Sequence, residues 1–318
     1  MAVRERKAFP ASLKWIGPVG SGGGRMSSTD LAFRQKMRGP GREVWGRLLL
    51  LAPAVLLLGL FGVSVVQLIA SSFVDEGRLS LALYTDFFSR ADYRDILFRT
   101  IRVSLLVAAL CVVIGYPIAY AMWRYKGNRS HLMILIILPW LVSIVVRTYG
   151  WMVILGPKGL INEFLAWAGL IERPVRMMFN TTGVVIGLVH ILIPFMIISI
   201  LSVMLHLDRR LEEASASLGA RSYHTFFRVT LPLTVPGIIT GTMLVYLMST
   251  GAIVTPILLG GVRDRMMGTQ MYQEVIQTFN FPKASMLAFL LLLAGLAVVL
   301  PLQALERKLS RFMDQKGS

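Results

Sequence analysis

The sequence predicts an all-α polytopic membrane protein with six transmembrane helices. Three observations carry this. The 318 residues are 55% hydrophobic and only 16% charged, with a mean hydropathy of +0.65. A soluble domain carries about 25% charge. The apolar residues fall in blocks of about 20, the length at which a helix crosses a hydrocarbon layer of about 30 Å. Alternating ten-residue segments, the mark of a membrane barrel, are absent from the sequence.

Taken in order, residues 1–45 are basic and rich in Gly, Ser and Pro, and read as a disordered N-terminal arm. GPVGSGGGR at 17–25 imitates a phosphate loop but lacks the Lys-Ser/Thr ending and a preceding strand. Met26 is a plausible start of translation, alternative to Met1. The arm has no apolar core of a cleavable signal. The membrane-spanning body is expected over 46–305, with a tail over 306–318. Its spans are expected at 46–73, 100–123, 132–155, 182–205, 233–259 and 284–305. A polar segment containing YTDFFSRADYRD separates the first two. Pro139 is expected to break the third. After it, Leu160, Phe164, Leu165 and Ala168 sit at the spacing of a short interfacial helix.

Charge orients the spans. The segments on the side of the termini hold about 21 of the 33 Lys and Arg, against about 11 on the other side, where about nine acids offset them. Both termini are therefore expected in the cytoplasm. The net charge of +16 is thus assigned to membrane orientation and not to nucleic acid. The single cysteine, Cys111, lies in an apolar run and reads as a small buried or lipid-facing residue. The four His residues (131, 190, 206 and 224) are scattered, mostly at span ends, and no metal or catalytic spacing joins them.

The informative stretch is EEASASLGARSYHTFFRVTLP at 212–232. Leu211, Ala214 and Leu218 repeat at helical spacing, and Ala214, Ala216 and Ala220 keep the surface small. Gly219 allows a helix end with positive φ. The aromatic SYHTFFRVT needs packing, and Pro232 and Pro236 suit the start of the fifth span. The result is an elbow over 211–232 between two spans, expected on the cytoplasmic side. By pattern alone it either lies on lipid as an interfacial helix or seats in another protein.

Spacing separates these readings. Glu213-Ala214-Ser215, three residues, Gly219, nine residues, then Val229-x-Leu231-Pro232 resembles the EAA motif of ABC importer permeases, E-A-A-x3-G-x9-I-x-L-P. Ser215 stands for the second Ala and Val229 for Ile. VVRTYGWMVILG at 145–156, GLIN at 159–162, LIPFMI at 192–197 and LLGG at 258–261 extend the likeness to the spermidine/putrescine-type subfamily across 46–305. The resemblance implies a type I ABC importer permease fold in a bacterial inner membrane. It implies that Glu213, Ala214, Ser215, Leu218, Gly219, Leu231 and Pro232 form a coupling helix that seats in a cytoplasmic ABC ATPase, present in two copies. It also implies a second permease subunit and a periplasmic solute-binding protein. The chain itself is expected to be no enzyme and to bind no cofactor, with ATP and Mg on the ATPase. The expected solute is a polyamine such as spermidine or putrescine; an opine, aminophosphonate, iron(III) or thiamine is the alternative. A stand-alone channel or secondary transporter would need coupling-ion residues or inverted repeats, and an intramembrane enzyme a catalytic pair; the sequence displays neither.

Solute-path candidates are polar or aromatic residues inside spans. Arg147 is charged and, on a straight helix, about 22 Å into the third span. It reads as a gate or path residue, as a snorkelling side chain, or as the partner of an acid on the second permease. Trp140, Tyr149 and Trp151 could hold a cation by cation–π contact, although aromatic-belt anchoring also accounts for Trp151. Thr250 and Thr255 lie in a polar, breakable patch of the fifth span. No acid is expected inside any span.

Overall fold

The structure, a computed structural model, describes residues 40–316 except 76 and 209, with side chains from 51 to 309 except also 75. The N-terminal arm as far as 39, the Met1/Met26 alternative and the side chains of the tail beyond 309 lie outside the described residues. The chain divides into two units, residues 1–63 and 64–318. Helix α1, Pro40–Ser72, begins in the first unit and ends in the second. Its large apolar side chains from Leu51 to Val63 are all exposed. Leu, Val and Phe on every face suit a helix surrounded by lipid.

The second unit continues with a short antiparallel hairpin, β1 Val74–Asp75 with β2 Arg78–Leu79. Helix α2 (Ala82–Ser89) and helix α3 (Ala91–Arg124) follow. The segment read as a polar loop is therefore helical, and the second span begins at Ala91 rather than 100. Aromatic spacing explains this: Phe87 is buried and stacks on Tyr93 at 5.5 Å, while Tyr84 stacks on Phe73 at 5.3 Å. Arg90, at the joint, reaches back to Asp86 at 2.8 Å.

The third span is broken, but not where the sequence suggested. Helix α4 (Arg129–Leu141) runs over Pro139 and stops at Val142. Helix α5 (Ile144–Leu155) follows, and the segment Ile144–Trp167 that it opens lies at 89° to α4. The missing N–H and the ring of a proline bear on the turn before it, which here stays helical; the helix ends instead at Val142, which donates to the Pro139 carbonyl at 3.3 Å. Helix α6 (Leu160–Trp167) is the expected short amphipathic helix, with Leu160, Phe164 and Trp167 exposed. Buried Asn162 of the GLIN run fastens it, donating to the Gly156 carbonyl and accepting from the Val175 amide at 2.8 Å.

Helix α7 (Thr181–Met204) is the most buried span. It packs against α3 and against helix α10 (Leu231–Thr250) to make the core. Cys111 is fully buried there, in the same cluster as Met196 and Ile200. Close approach is possible because the interface residues are small. At Gly237 an added Cβ would meet the Ser199 carbonyl oxygen at 2.9 Å and the Ile200 Cα at 3.1 Å. A polar clip, Tyr116 hydroxyl to Thr234 hydroxyl at 3.0 Å, ties α3 to α10.

Between α7 and α10 lie helix α8 (Arg210–Ser217), helix α9 (Ser222–Thr225) and a π-helical turn, Phe226–Thr230, which runs straight into α10. The fifth span therefore begins at Ser222, well before Pro232. The wide π turn relieves the clash a proline ring makes with the carbonyl four residues back. At its other end the span stops at Thr250 and restarts as helix α11 (Val254–Leu259), so the polar patch breaks as expected. Helix α12 (Met267–Ile276) and helix α13 (Phe281–Lys316) complete the chain. Among the described residues, five helices are long and apolar enough to cross a membrane, and six if α4 and the bent segment Ile144–Trp167 count as one span.

One charged network was not foreseen. Glu274 of α12 is buried, and Lys283 of α13 meets it at 2.9 Å and donates to the Tyr93 hydroxyl of α3 at 2.7 Å. Thr278 and Gln270 donate to the same carboxylate at 2.8 and 3.1 Å. Burial pushes the Glu274 carboxyl up. The hydrogen bonds from Lys283, Thr278 and Gln270, with the charge of Lys283, outweigh burial and hold it below the ordinary carboxylate value. A carboxyl lowered on folding contributes stability that is complete above its unfolded value and disappears as pH falls through the lowered one. Thermal stability of the purified protein in detergent is therefore expected to decline as pH drops below about 4.3. The decline should be shallower in Glu274→Gln. An equal decline in both would remove Glu274 from the explanation.

Candidate functional site

The elbow is built from two ends. Helix α8 ends in a Schellman arrangement: Ala220 donates to the Ser215 carbonyl at 3.1 Å and Gly219 to the Ala216 carbonyl at 2.9 Å. Gly219 takes φ of +82°, the left-handed conformation that glycine accommodates without a Cβ penalty. Among the described residues nothing beyond its chain neighbours lies within 4 Å of where its Cβ would be, so backbone conformation and not crowding requires glycine here.

One face of α8 is fastened inward. Glu212 accepts from Thr230 of the π turn at 2.7 Å and from the Tyr120 hydroxyl of α3 at 3.4 Å, with Arg124 at 3.8 Å. Ser215 bonds the Thr225 hydroxyl at 2.9 Å. The Ala-to-Ser departure at 215 thus carries a hydrogen bond that alanine could not make. Phe226 seats edge-on against Tyr116 and Tyr120 at 5.6 and 5.4 Å. Of the aromatics expected to need packing, Phe226 is packed, whereas Tyr223 and Phe227 remain exposed. Pro232 lies in the first turn of α10, and Leu231 packs on the core.

The other face points away from the chain. Glu213, Ala214, Ala216 and Gly219 are exposed, and Leu218 is 89% exposed at the tip. A cavity of about 320 Å³ opens between this elbow and the end of α3, lined by Tyr120, Arg124, Lys126, Glu212, Glu213 and Ala216, among others. The structure therefore splits the seven coupling candidates. Ser215, Leu231 and Pro232 hold or continue the elbow. Glu213, Ala214, Leu218 and Gly219 present it. Glu212, Tyr120 and Arg124 are the residues sequence reading missed. Their meeting depends on α3 returning beside the elbow, which no local spacing records.

The solute-path candidates do not converge. Arg147 lies in the first turn of α5, beyond the break at Val142–Ser143, so the straight-helix depth assigned to it does not hold. Trp151, one turn on, shares its face and packs edge-on against His190 at 5.4 Å. Tyr149 falls on the other side and is 53% exposed. Trp140 packs on Phe195 at 5.9 Å. Thr250 donates to the Tyr246 carbonyl at 2.6 Å and lines an apolar cavity of about 410 Å³ between α10 and α13. Thr255 is buried against the α7 backbone near Gly187, its hydroxyl without a partner.

Long apolar helices around a three-helix core, with an elbow fastened between two of them, make this a multi-pass helical membrane protein. Residues 105–311 match the family of binding-protein-dependent transport system inner membrane components, and the chain belongs to it. It is thus a membrane-spanning transport subunit. It is 37% identical over 191 residues to the spermidine/putrescine transport system permease protein PotB of Escherichia coli, covering 60% of this chain and 70% of that one. PotB of Haemophilus influenzae is 36% identical over 225 residues, 70% of this chain and 77% of that one. The molybdenum transport system permease protein ModB of Mycobacterium bovis is 30% identical over 202 residues, 63% and 74% of the two chains. Among solved structures, a chain of a bacterial alginate ABC transporter in complex with its alginate-bound periplasmic protein superposes with a TM-score of 0.69 at 19% identity, over 84% of this chain and 96% of that one. The MetNI methionine ABC transporter in an inward-facing form gives 0.51 at 15% identity, over 67% and 93%. These two establish the fold.

Proposed function

We propose that this permease forms half of the translocation path of an ATP-driven polyamine importer. The substrate class rests on the relatives. Identity to the two spermidine/putrescine permeases is 36–37%, against 30% to the molybdenum permease. Spermidine and putrescine are the best candidates.

The mechanism is carried by one observation: helix α8 is fixed on its inner face by Glu212 and Ser215 while Glu213, Ala214 and Leu218 are exposed. A helix held this way transmits a push to α3 and α10 as a rigid piece. In this reading two copies of a cytoplasmic ABC ATPase bind ATP and Mg, which this chain does not bind. Their closure presses the elbow, and α3 and α10 carry the movement into the spans. Both termini and the elbow face the cytoplasm, in keeping with the basic residues on that side. A second permease supplies the other half of the path, and a periplasmic binding protein delivers the solute. No nucleic-acid role is needed for the basic charge.

Proteoliposomes holding this chain, its second permease and the ATPase, supplied with the binding protein, test the reading. ATP-dependent uptake of labelled spermidine is expected, with competition by excess putrescine and none by molybdate. Uptake competed by molybdate and not by putrescine would overturn the substrate class.

A further inference from the structure

In chemical terms, the network of Glu274, Lys283 and Tyr93 is a site for an alkylammonium group, filled from within the chain. A lysine side chain is an aminobutyl group. The Lys283 ammonium lies 2.9 Å from the Glu274 carboxylate, donates to the Tyr93 hydroxyl at 2.7 Å and sits 4.9 Å from the centre of the Tyr93 ring. A carboxylate, a hydroxyl oxygen and an aromatic ring are the groups that hold a primary ammonium. The same ring draws a second cation, Arg90, at 6.0 Å.

The cage is held by contacts that do not involve its lysine. Tyr93 stacks on buried Phe87. Gln270 and Thr278, one turn before and one turn after Glu274, donate to its carboxylate at 3.1 and 2.8 Å. Without the aminobutyl group, an anionic and aromatic socket remains. Glu274 is the one acid among the described residues that are buried. Its side chain is 6% exposed and that of Lys283 is 20% exposed, so the lysine is the member of the pair that solvent reaches. Position adds to the chemistry. Helix α10 leaves the elbow and crosses to the opposite side before α12 and the start of α13. With the elbow in the cytoplasm, the cage lies on the side from which a binding protein delivers solute.

We propose that this cage receives an alkylammonium end of the solute, and that Lys283 fills it until the solute displaces it. This rests on the polyamine reading above: putrescine and spermidine each carry an aminobutyl end. Exchanging one aminobutyl group for another keeps the carboxylate paired throughout, which spares it the large cost of a bare buried charge.

The test measures binding of labelled putrescine to the transporter purified with its second permease and ATPase, without binding protein or ATP. The unaltered chain should bind weakly, because Lys283 competes. Lys283→Ala, which empties the socket, is expected to bind at least tenfold more tightly. Lys283→Arg, which keeps a cation in the cage, should stay within twofold of the unaltered chain, and adding Glu274→Gln to Lys283→Ala should abolish the gain. Equal binding by the unaltered chain and Lys283→Ala would overturn the proposal and leave the pair a strut. A second measurement needs no variant to fold. Spermidine carrying a diazirine, delivered by the binding protein to the unaltered transporter and irradiated, should label α12 or the first turn of α13; label confined to other segments would contradict the proposal. Uptake of labelled spermidine by the unaltered transporter separates the two claims. Uptake with no gain in Lys283→Ala defeats the cage alone, whereas no polyamine uptake defeats the substrate reading and the cage with it.

Discussion

Gly219→Leu and Glu213→Lys are each expected to abolish solute uptake while the permease reaches the membrane at normal levels. The two act differently. A Cβ at Gly219 meets nothing within 4 Å among the described residues, so the change falls on the exposed tip and not on the interior. It must adopt φ of +82° or unwind the cap, at a cost of about 1–2 kcal/mol, and either outcome reshapes the outward surface. Glu213 is exposed, so lysine there reverses a charge at the surface of the elbow. Breaking a desolvated pair at an interface costs about 2–5 kcal/mol, enough to reduce ATPase co-purification by at least tenfold. Full uptake and full ATPase recovery in both variants would reduce α8 to an interfacial helix.

Gly237→Leu is expected to fail earlier, in folding. The Cβ alone would press on the Ser199 carbonyl and the Ile200 Cα, which are backbone of the central helix and cannot rotate aside. Separating α10 from α7 disturbs the core that contains Cys111, Met196 and Tyr246. Overpacking of this kind costs about 1–3 kcal/mol, and leucine should exceed alanine. Membrane levels and thermal stability in detergent should fall in the order unaltered, Gly237→Ala, Gly237→Leu. Equal stability of all three would mean that the helices pack less closely than described.

These two expectations differ in how far the sequence alone foresaw them. The apolar blocks located the spans because lipid demands a run of about 20 apolar residues wherever the chain crosses. The elbow was legible for a similar reason: Gly219 marks a cap whose geometry is local, and the cap forms as expected. Gly237 carried no such mark. Its requirement comes from the α7 backbone, some forty residues away in sequence. Glu212 was passed over in favour of Glu213 since the motif begins one residue later, and only the return of α3 beside the elbow reveals which of the two points inward. The break in the third span shows the same limit. A proline signals a weak point, but the bend came at Val142–Ser143, where no single residue type announces it. The Glu274–Lys283–Tyr93 network joins three segments far apart in sequence and had no local signature.

The central claim is that the tip of α8 touches the ATPase, and Leu218 tests it most directly. Cys111 is the chain's one cysteine and is fully buried, so a thiol introduced by Leu218→Cys is the one a reagent meets. A short bifunctional maleimide applied to the assembled transporter should join this chain to the ATPase from Leu218→Cys, and should not do so from Trp167→Cys, which is equally exposed but lies on α6. A Leu218→Cys thiol that reacts freely with soluble maleimide in the complete transporter, and forms no link to the ATPase, would contradict the account.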